Sequence, residues 1–282
     1  MQRKQIRKGD IVVRKSYGKD VVFVINDIVN VKGKKIAILR GMFERILADS
    51  EISDLETVSK IIINKNKEEF ERKLNNKIKK RRRDVNEYRI AILTQNTRTK
   101  EKIVTGKILH LDGDKKYSEK AYRYYQKIGL DVVVKNIPEY KQPKVVYKLL
   151  KIYNPDILVV TGHDGMIKRG TSYNDIYNYR NSKYFIETVK EARRYDKEND
   201  EKLVIFAGAC QSYFEALISA GANFASSPAR ILIDFLDPLV VAEKVATTEK
   251  YKFITIDDIV FELRDGKEGV SGIGANGKMK RK

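Results

Sequence analysis

The chain has 282 residues, 42% of them hydrophobic, with 57 basic against 38 acidic side chains, two histidines and one cysteine. A single cysteine excludes an internal disulfide, and with only two histidines beside it there is no zinc-finger ligand set, so no metal or cofactor is expected. No apolar run approaches the roughly 18 residues of a membrane span, and the opening MQRKQIRKGD lacks the apolar core of a secretory signal, so cytoplasmic synthesis is expected.

Residues 1–58 alternate short β-prone runs with turn signals. Strands are predicted at 10–13, 21–25, 35–40 and 45–48, with turns at 16–19 and 30–34. Several short strands in so few residues suggest a small SH3-like β-barrel, a module that positions or binds more often than it catalyses.

Residues 59–100 turn polar and charged, with eleven basic and five acidic side chains between 59 and 88. Residues 66–83 (NKEEFERKLNNKIKKRRR) suit a solvated helix, since Phe70, Leu74 and Ile78 recur every fourth position. The segment reads as a mobile connector between two folded units.

Residues 101–282 alternate strand and helix. Strands are predicted at 108–111, 132–134, 157–160, 203–206 and 224–226, and helices at 117–128, 145–153, 184–195, 211–220 and 239–247. This order argues for an α/β domain whose parallel sheet carries helices on both faces. The glycine-rich tail after Gly266 reads as poorly ordered.

Two strands of that series end alike. Residues 156–165 read DILVVTGHDG, and residues 202–212 read KLVIFAGACQS. Each is an apolar run, then small residues, then His163 or Cys210. In open α/β sheets ligands bind at the carboxyl ends of the strands. A Cys/His pair there is the minimum for thiol acyl transfer, the imidazole moving the proton and the thiolate attacking. A helix starting just after Cys210 would also lower the thiol pKa. The bland alternative is that Cys210 is a small buried hydrophobe.

Longer stretches carry a resemblance. KILHLDGD at 107–114, PDILVVTGHDG at 155–165 and LVIFAGACQSYFEALISAGANFASSPAR at 203–230 resemble the YabG family, sporulation-specific cysteine proteases of spore-forming Firmicutes. GDIVVRKSYGKDVVFVI at 9–25 and ILADSEISDL at 46–55 match it too, so the likeness covers nearly the whole chain. More distantly, the His and Cys blocks are similar to those of caspases and clostripain-like proteases. Those show His-Gly where this chain has His163-Asp164, with the glycine one place later at Gly165.

The resemblance implies a caspase-like catalytic domain with Cys210 as nucleophile and His163 as acid/base, cutting after basic residues with arginine preferred. Such a pocket needs a carboxylate to hold a guanidinium. Asp112 and Asp114 are the candidates, with Asp164 behind them; Asp114 could instead cap a helix, and Asp164 could orient His163 or simply be solvated. The N–H groups of Gly165 and Cys210 are candidate oxyanion donors. Ser226 and Ser227 follow a strand whose edge receives substrate in caspase-like folds. Protein substrates of the spore coat or cortex machinery, and association with the coat, are implied in the same way. Arg81, Arg82 and Arg83 are expected sites of self-cleavage between the two units.

Two other readings stand beside this one. A non-peptidase thiol amidase or acyltransferase would keep the fold and the pair. A basic scaffold for nucleic acid or coat proteins would leave Cys210 inert. A net charge of +19 permits nucleic-acid binding, but the charges are scattered and no stacking-aromatic motif accompanies them.

Overall fold

The computed structural model describes residues 5–95, 103–167, 172–199 and 202–281. In the first of these stretches five strands, β1 (Ile11–Arg14), β2 (Phe23–Val31), β3 (Lys34–Gly41), β4 (Leu47–Glu51) and β5 (Leu55–Thr57), pair antiparallel in the order β4-β3-β2-β1-β5. Alternation along β2 and β3 turns Phe23, Ile25, Ala37 and Leu39 into one buried cluster. Between these strands Lys32 and Gly33 both have positive φ (50° and 81°), the two-residue turn that matches the twist of a hairpin.

The β3–β4 connection differs from the sequence reading. The strand expected at 45–48 begins instead at Leu47, and residues 42–45 form a loop closed by a bond from the Gly41 N–H to the Ile46 carbonyl at 2.8 Å. A side chain at position 41 would collide with the Glu44 carbonyl, so this tight return needs glycine.

The expected mobile connector is one helix, α1 (Lys60–Gln95), longer at both ends than the predicted stretch. Its apolar stripe explains why it is docked. Leu74 and Ile78 are buried with Tyr117 and Ala121, Phe70 packs against the same cluster, and Glu71 binds Arg123 at 2.6 Å.

After β6 (Ile103–Val104) the chain alternates β7 (Ile108–Asp112), α2 (Lys115–Ile128), β8 (Val132–Asn136), α3 (Gln142–Tyr153), β9 (Ile157–Thr161), α4 (Ser182–Asn199), β10 (Val204–Ala207), α5 (Phe214–Ser219), β11 (Phe224–Ser226) and α6 (Asp237–Thr247). The stops and starts follow local chemistry. Asp114 caps α2 through bonds from Lys116 and Tyr117 N–H, and Gly129 ends it in the left-handed region. Strands β8, β7, β9, β10 and β11 are parallel neighbours in that order.

The sheet is covered on both faces. Ile157 and Val159 of β9 pack with residues of α1, α2 and α6, whereas Leu158 and Val160 pack with α3, α4 and α5. Burial on both sides is why these strands read as unbroken apolar runs.

The tail corrects another expectation. It continues as β12 (Phe253–Ile254), α7 (Gly266–Gly269), β13 (Val270–Gly272), β14 (Ala275–Asn276) and β15 (Lys280–Arg281). Strand β13 is the antiparallel edge of the main sheet, pairing Ser226 with Val270 and Phe224 with Gly272. A side chain at 272 would strike the Asn223 carbonyl, so here glycine marks close packing rather than disorder. Among the described residues no helix is long and apolar enough to cross a membrane.

Candidate active site

Strands β9 and β10 are parallel neighbours, and the two candidate residues follow their carboxyl ends. Val204 pairs with Ile157 and Ala207 with Val160, and the Gly208 N–H reaches the Val160 carbonyl at 2.9 Å. Cys210 and His163 each follow three residues after the Ala207–Val160 pair. Gly208 has φ of 108°, and a side chain there would meet Ser226 and Leu217, so the exit from β10 depends on it.

Both groups are buried, and both are held in their neutral forms. Burial pushes the Cys210 thiol up to about 12, although the N–H groups of Ile233, at 3.4 Å from the sulfur, and Arg45 oppose the shift. Burial lowers His163 to about 4, against the pull of Asp114, whose Oδ2 lies 4.0 Å from Nε2. The expected helix-dipole effect on the thiol is absent. Helix α5 has only six residues and begins at Phe214, beyond the turn holding Cys210 and Gln211. Desolvation therefore has no counterweight of that kind.

The thiol is covered by the Ile233 main chain and by the β3–β4 loop. The Arg45 guanidinium is fully buried, with Nη1 on Asp112 Oδ2 at 2.7 Å and its carbon 4.5 Å from the Tyr117 ring centroid and 5.3 Å from that of Phe235. The main chain is engaged too. Asp164 N–H donates to the Arg45 carbonyl at 3.2 Å, and Leu47 N–H donates to the Asp164 carbonyl at 2.8 Å. A side chain at Gly165 would collide with the Leu47 carbonyl, which fits the glycine at that position.

Of the acidic candidates, Asp112 alone holds a fully buried guanidinium. Burial would raise its carboxyl, but Arg45 and the nearby His110 hold it at about 2. Asp112 Oδ1 also accepts the Asp114 N–H at 2.9 Å, which fixes the carboxylate plane. Asp114 sits beside it as the α2 cap, its other oxygen 3.3 Å from Arg40.

Three expectations meet different geometry. Asp164 does not face a substrate space: its oxygens accept from Gly165 N–H, Asn181 N–H and the hydroxyls of Ser182 (2.5 Å) and Ser212 (2.9 Å). It ties the His163 loop to α4 and to the turn after Cys210. Gly165 N–H is thereby spent on Asp164 Oδ1, while the Asp164 N–H is the donor that meets a carbonyl. Ser226 and Ser227 are buried and hold the Cys210 loop, donating to Ala209 and Ile231 carbonyls at 3.0 and 2.8 Å. The edge of β11 beside them is filled by β13, so it cannot receive a peptide there.

The basic run Arg81, Arg82 and Arg83 lies inside α1. Arg81 is buried, with Nε 3.1 Å from Glu243 and a second ion pair to Glu262. A helix paired in this way does not present the extended chain a protease cleft takes.

Glu139 is a site residue that the sequence reading missed. Its Oε1 accepts the His163 N–H at 2.8 Å, and burial raises its carboxyl to about 7. Gly113 and Gly162 leave room for this side chain. The only sequence cue was a pair of glycines at neighbouring strand ends. The second histidine, His110, faces inward to Tyr125 and lies 3.6 Å from Asp112. Among the described residues no group of three or more His, Cys, Asp or Glu is placed to hold a metal ion.

The family model described as YabG peptidase U57 matches residues 7–282. The sporulation-specific protease YabG of Bacillus subtilis (strain 168) is 40% identical over 291 residues, covering 98% of this chain and 97% of the relative.

Proposed function

The chain belongs to the YabG peptidase U57 family and is a peptidase, and on that premise we propose that it is a cysteine endopeptidase of sporulation with Cys210 as nucleophile and His163 as its acid/base partner. The observation that supports the reading is that these two residues follow the carboxyl ends of adjacent parallel strands. In this reading the main sheet is a caspase-like catalytic domain and the N-terminal sheet an SH3-like module.

The mechanism follows from the groups in place. His163, neutral when buried, takes the Cys210 proton as the sulfur attacks the scissile carbonyl. The Asp164 N–H, with that of Cys210, receives the developing oxyanion, and such donors carry much of acyl-transfer catalysis. His163 then protonates the departing amine, and water brought in on the same imidazole hydrolyses the thioester. Glu139 and Asp164 act on neither bond; they hold the His163 main chain and its loop.

Asp112 is the specificity carboxylate for arginine, supported by the guanidinium it already binds. Substrates are proteins of the spore coat or cortex machinery, and the enzyme is made in the sporulating cell and associates with the coat. Peptidase membership ranks the amidase, acyltransferase and nucleic-acid readings behind this one.

The test is turnover of paired peptides differing only in Arg or Lys before the cut, by the wild type, Cys210→Ala and His163→Ala. Arginine should be preferred, both variants should be inactive and folded, EDTA should change nothing and iodoacetamide should abolish turnover. Wild-type turnover by Cys210→Ala would refute the assignment.

A further inference from the structure

The N-terminal sheet carries a groove of about 910 Å³ that the catalytic reading does not use. All three residues of β5 line it, together with Ile28, Val29 and Asn30 of β2. Ile6, Ile28 and Ile52, each half-buried against the core of the module, make up its apolar part. Strand β5 is an edge: it pairs with β1, and no other strand among the described residues adjoins it. Just past the strand, Val58 N–H donates to the Ile11 carbonyl at 3.0 Å. The bonds to β1 therefore fall on residues 56 and 58, and alternation turns the N–H and carbonyl of Thr57 and the carbonyl of Leu55 to the open side.

Charge decides what such a groove accepts. Arg7, Lys8, Lys15 and Lys35 line it against a single acidic residue, Glu56, which Lys19 already holds at 2.8 Å. Lys8 lies 3.7 Å from Asp27, and Lys15 Nζ donates to the Ser53 carbonyl at 2.5 Å. The Arg7 guanidinium and the Lys35 ammonium have no ion-pair partner among the described residues. No aromatic side chain lines the groove, so nucleic-acid bases would find nothing to stack on. We propose that this groove binds an acidic, extended segment of a partner protein, added as a further strand along β5. The inference does not depend on the Cys210/His163 assignment.

The bound segment bonds through its main chain to Thr57 and Leu55, and strand alternation sorts its side chains. Apolar residues settle on Ile6, Ile28 and Ile52, and acidic residues meet Arg7 and Lys35. Alternation of acidic and apolar residues is thus the chemistry the groove recognises. A second copy of this chain is a poor occupant, because the same edge would bring Arg7 and Lys35 against their own kind; lysines at an open edge serve to exclude such pairing. The net charge of +19 draws acidic proteins toward the surface, and the groove selects among them.

The test is fluorescence anisotropy of a short labelled peptide alternating glutamate with valine, titrated with the full chain. It has no basic residue for the peptidase to cut. An all-glutamate peptide and a single-stranded DNA oligonucleotide are titrated beside it. The alternating peptide should bind saturably, more weakly as salt is raised, and the all-glutamate peptide more weakly still. Arg7→Glu and Lys35→Glu should each weaken binding about fivefold and together about twentyfold. Lys148→Glu, at an exposed lysine of α3, should leave it unchanged. Thr57→Pro removes the open-side N–H but no bond to β1, and should cost about fivefold where a merely basic surface would lose nothing. Circular dichroism and turnover of an Arg peptide, read on the same samples, should match the wild type, so the groove and the peptidase reading fail separately. Absence of saturable binding at millimolar peptide, or equal losses in Lys148→Glu, overturns the proposal. So does an unchanged affinity in Thr57→Pro, or an oligonucleotide that binds more tightly and is lost in the same charge variants.

Discussion

Arg45 and Arg81 are both buried on carboxylates, Asp112 for the first and Glu243 with Glu262 for the second. They differ in their main chains. Arg81 is inside a long helix whose peptide groups bond one another, and its side chain fastens α1 to α6 and to Glu262 in the C-terminal region. Arg45 ends a loop, and its carbonyl accepts the N–H of Asp164, the residue after His163. Basic character draws a side chain to an acidic partner in either setting. The irregular backbone at Arg45 pairs with a distant segment, whereas the helical backbone at Arg81 bonds to itself.

The largest expected effect bears on whether Arg45 sits in a catalytic site at all. Cys210→Ala and His163→Ala should each lower turnover of an Arg peptide by roughly 10⁴-fold or more, and the double variant should be no worse than either single one, because the pair acts as a unit. Steady-state kinetics with circular dichroism on the same samples would separate this from misfolding; multiplying losses in the double variant would break the pairing.

The two carboxylates sharpen the contrast next. Asp112→Asn should lower Arg-peptide turnover by about 100-fold, the order expected for losing a buried charge partner, while alkylation of Cys210 changes far less. Glu243→Gln should instead cost about 3–5 kcal/mol of stability and leave the Arg-over-Lys preference as it is. If the phenotypes are exchanged, the roles given to the two arginines are exchanged with them.

A pH series probes how far the loop seals the thiol. In His163→Ala, Cys210 alkylation should climb about tenfold per pH unit without a plateau below pH 10, because a thiol near 12 is protonated throughout that range. A plateau near neutral pH would mean that the loop does not bury the sulfur.

The smallest effect concerns Glu139. Its folded pKa is raised to about 7, so the folded chain binds this proton more tightly and loses stability as pH rises from about 4.5 to 7. Glu139→Gln removes that dependence and keeps an acceptor for His163. Thermal melts should show it gaining on the wild type between pH 5 and pH 8. Glu139→Ala, which leaves the N–H unpaired, should lose about 1–3 kcal/mol.

Local pattern revealed the parallel sheet and the two strands that His163 and Cys210 follow. The runs ending at His163 and Cys210 are apolar because their strands are buried on both faces, and that is visible in the letters. The Phe70, Leu74, Ile78 stripe likewise placed α1, although not its docking. Contacts between distant segments were not legible. Arg45 looked like one more residue of a barrel strand, because nothing near it names Asp112 as its partner. The glycines at 269, 272, 274 and 277 suggested disorder, yet Gly272 and Gly277 stand where backbones pass too closely for a side chain. The expected low thiol pKa failed for a related reason: a helix was read starting beside Cys210, whereas the chain inserts a turn and buries the sulfur under another module.

The most direct test of the central claim is covalent capture of the nucleophile by a peptide ending in an arginine acyloxymethyl ketone, with the modified residue located by tandem mass spectrometry. The account predicts stoichiometric loss of activity with the adduct on Cys210, slowed by an Arg peptide and absent in Cys210→Ala. Complete inactivation with Cys210 unmodified would contradict it.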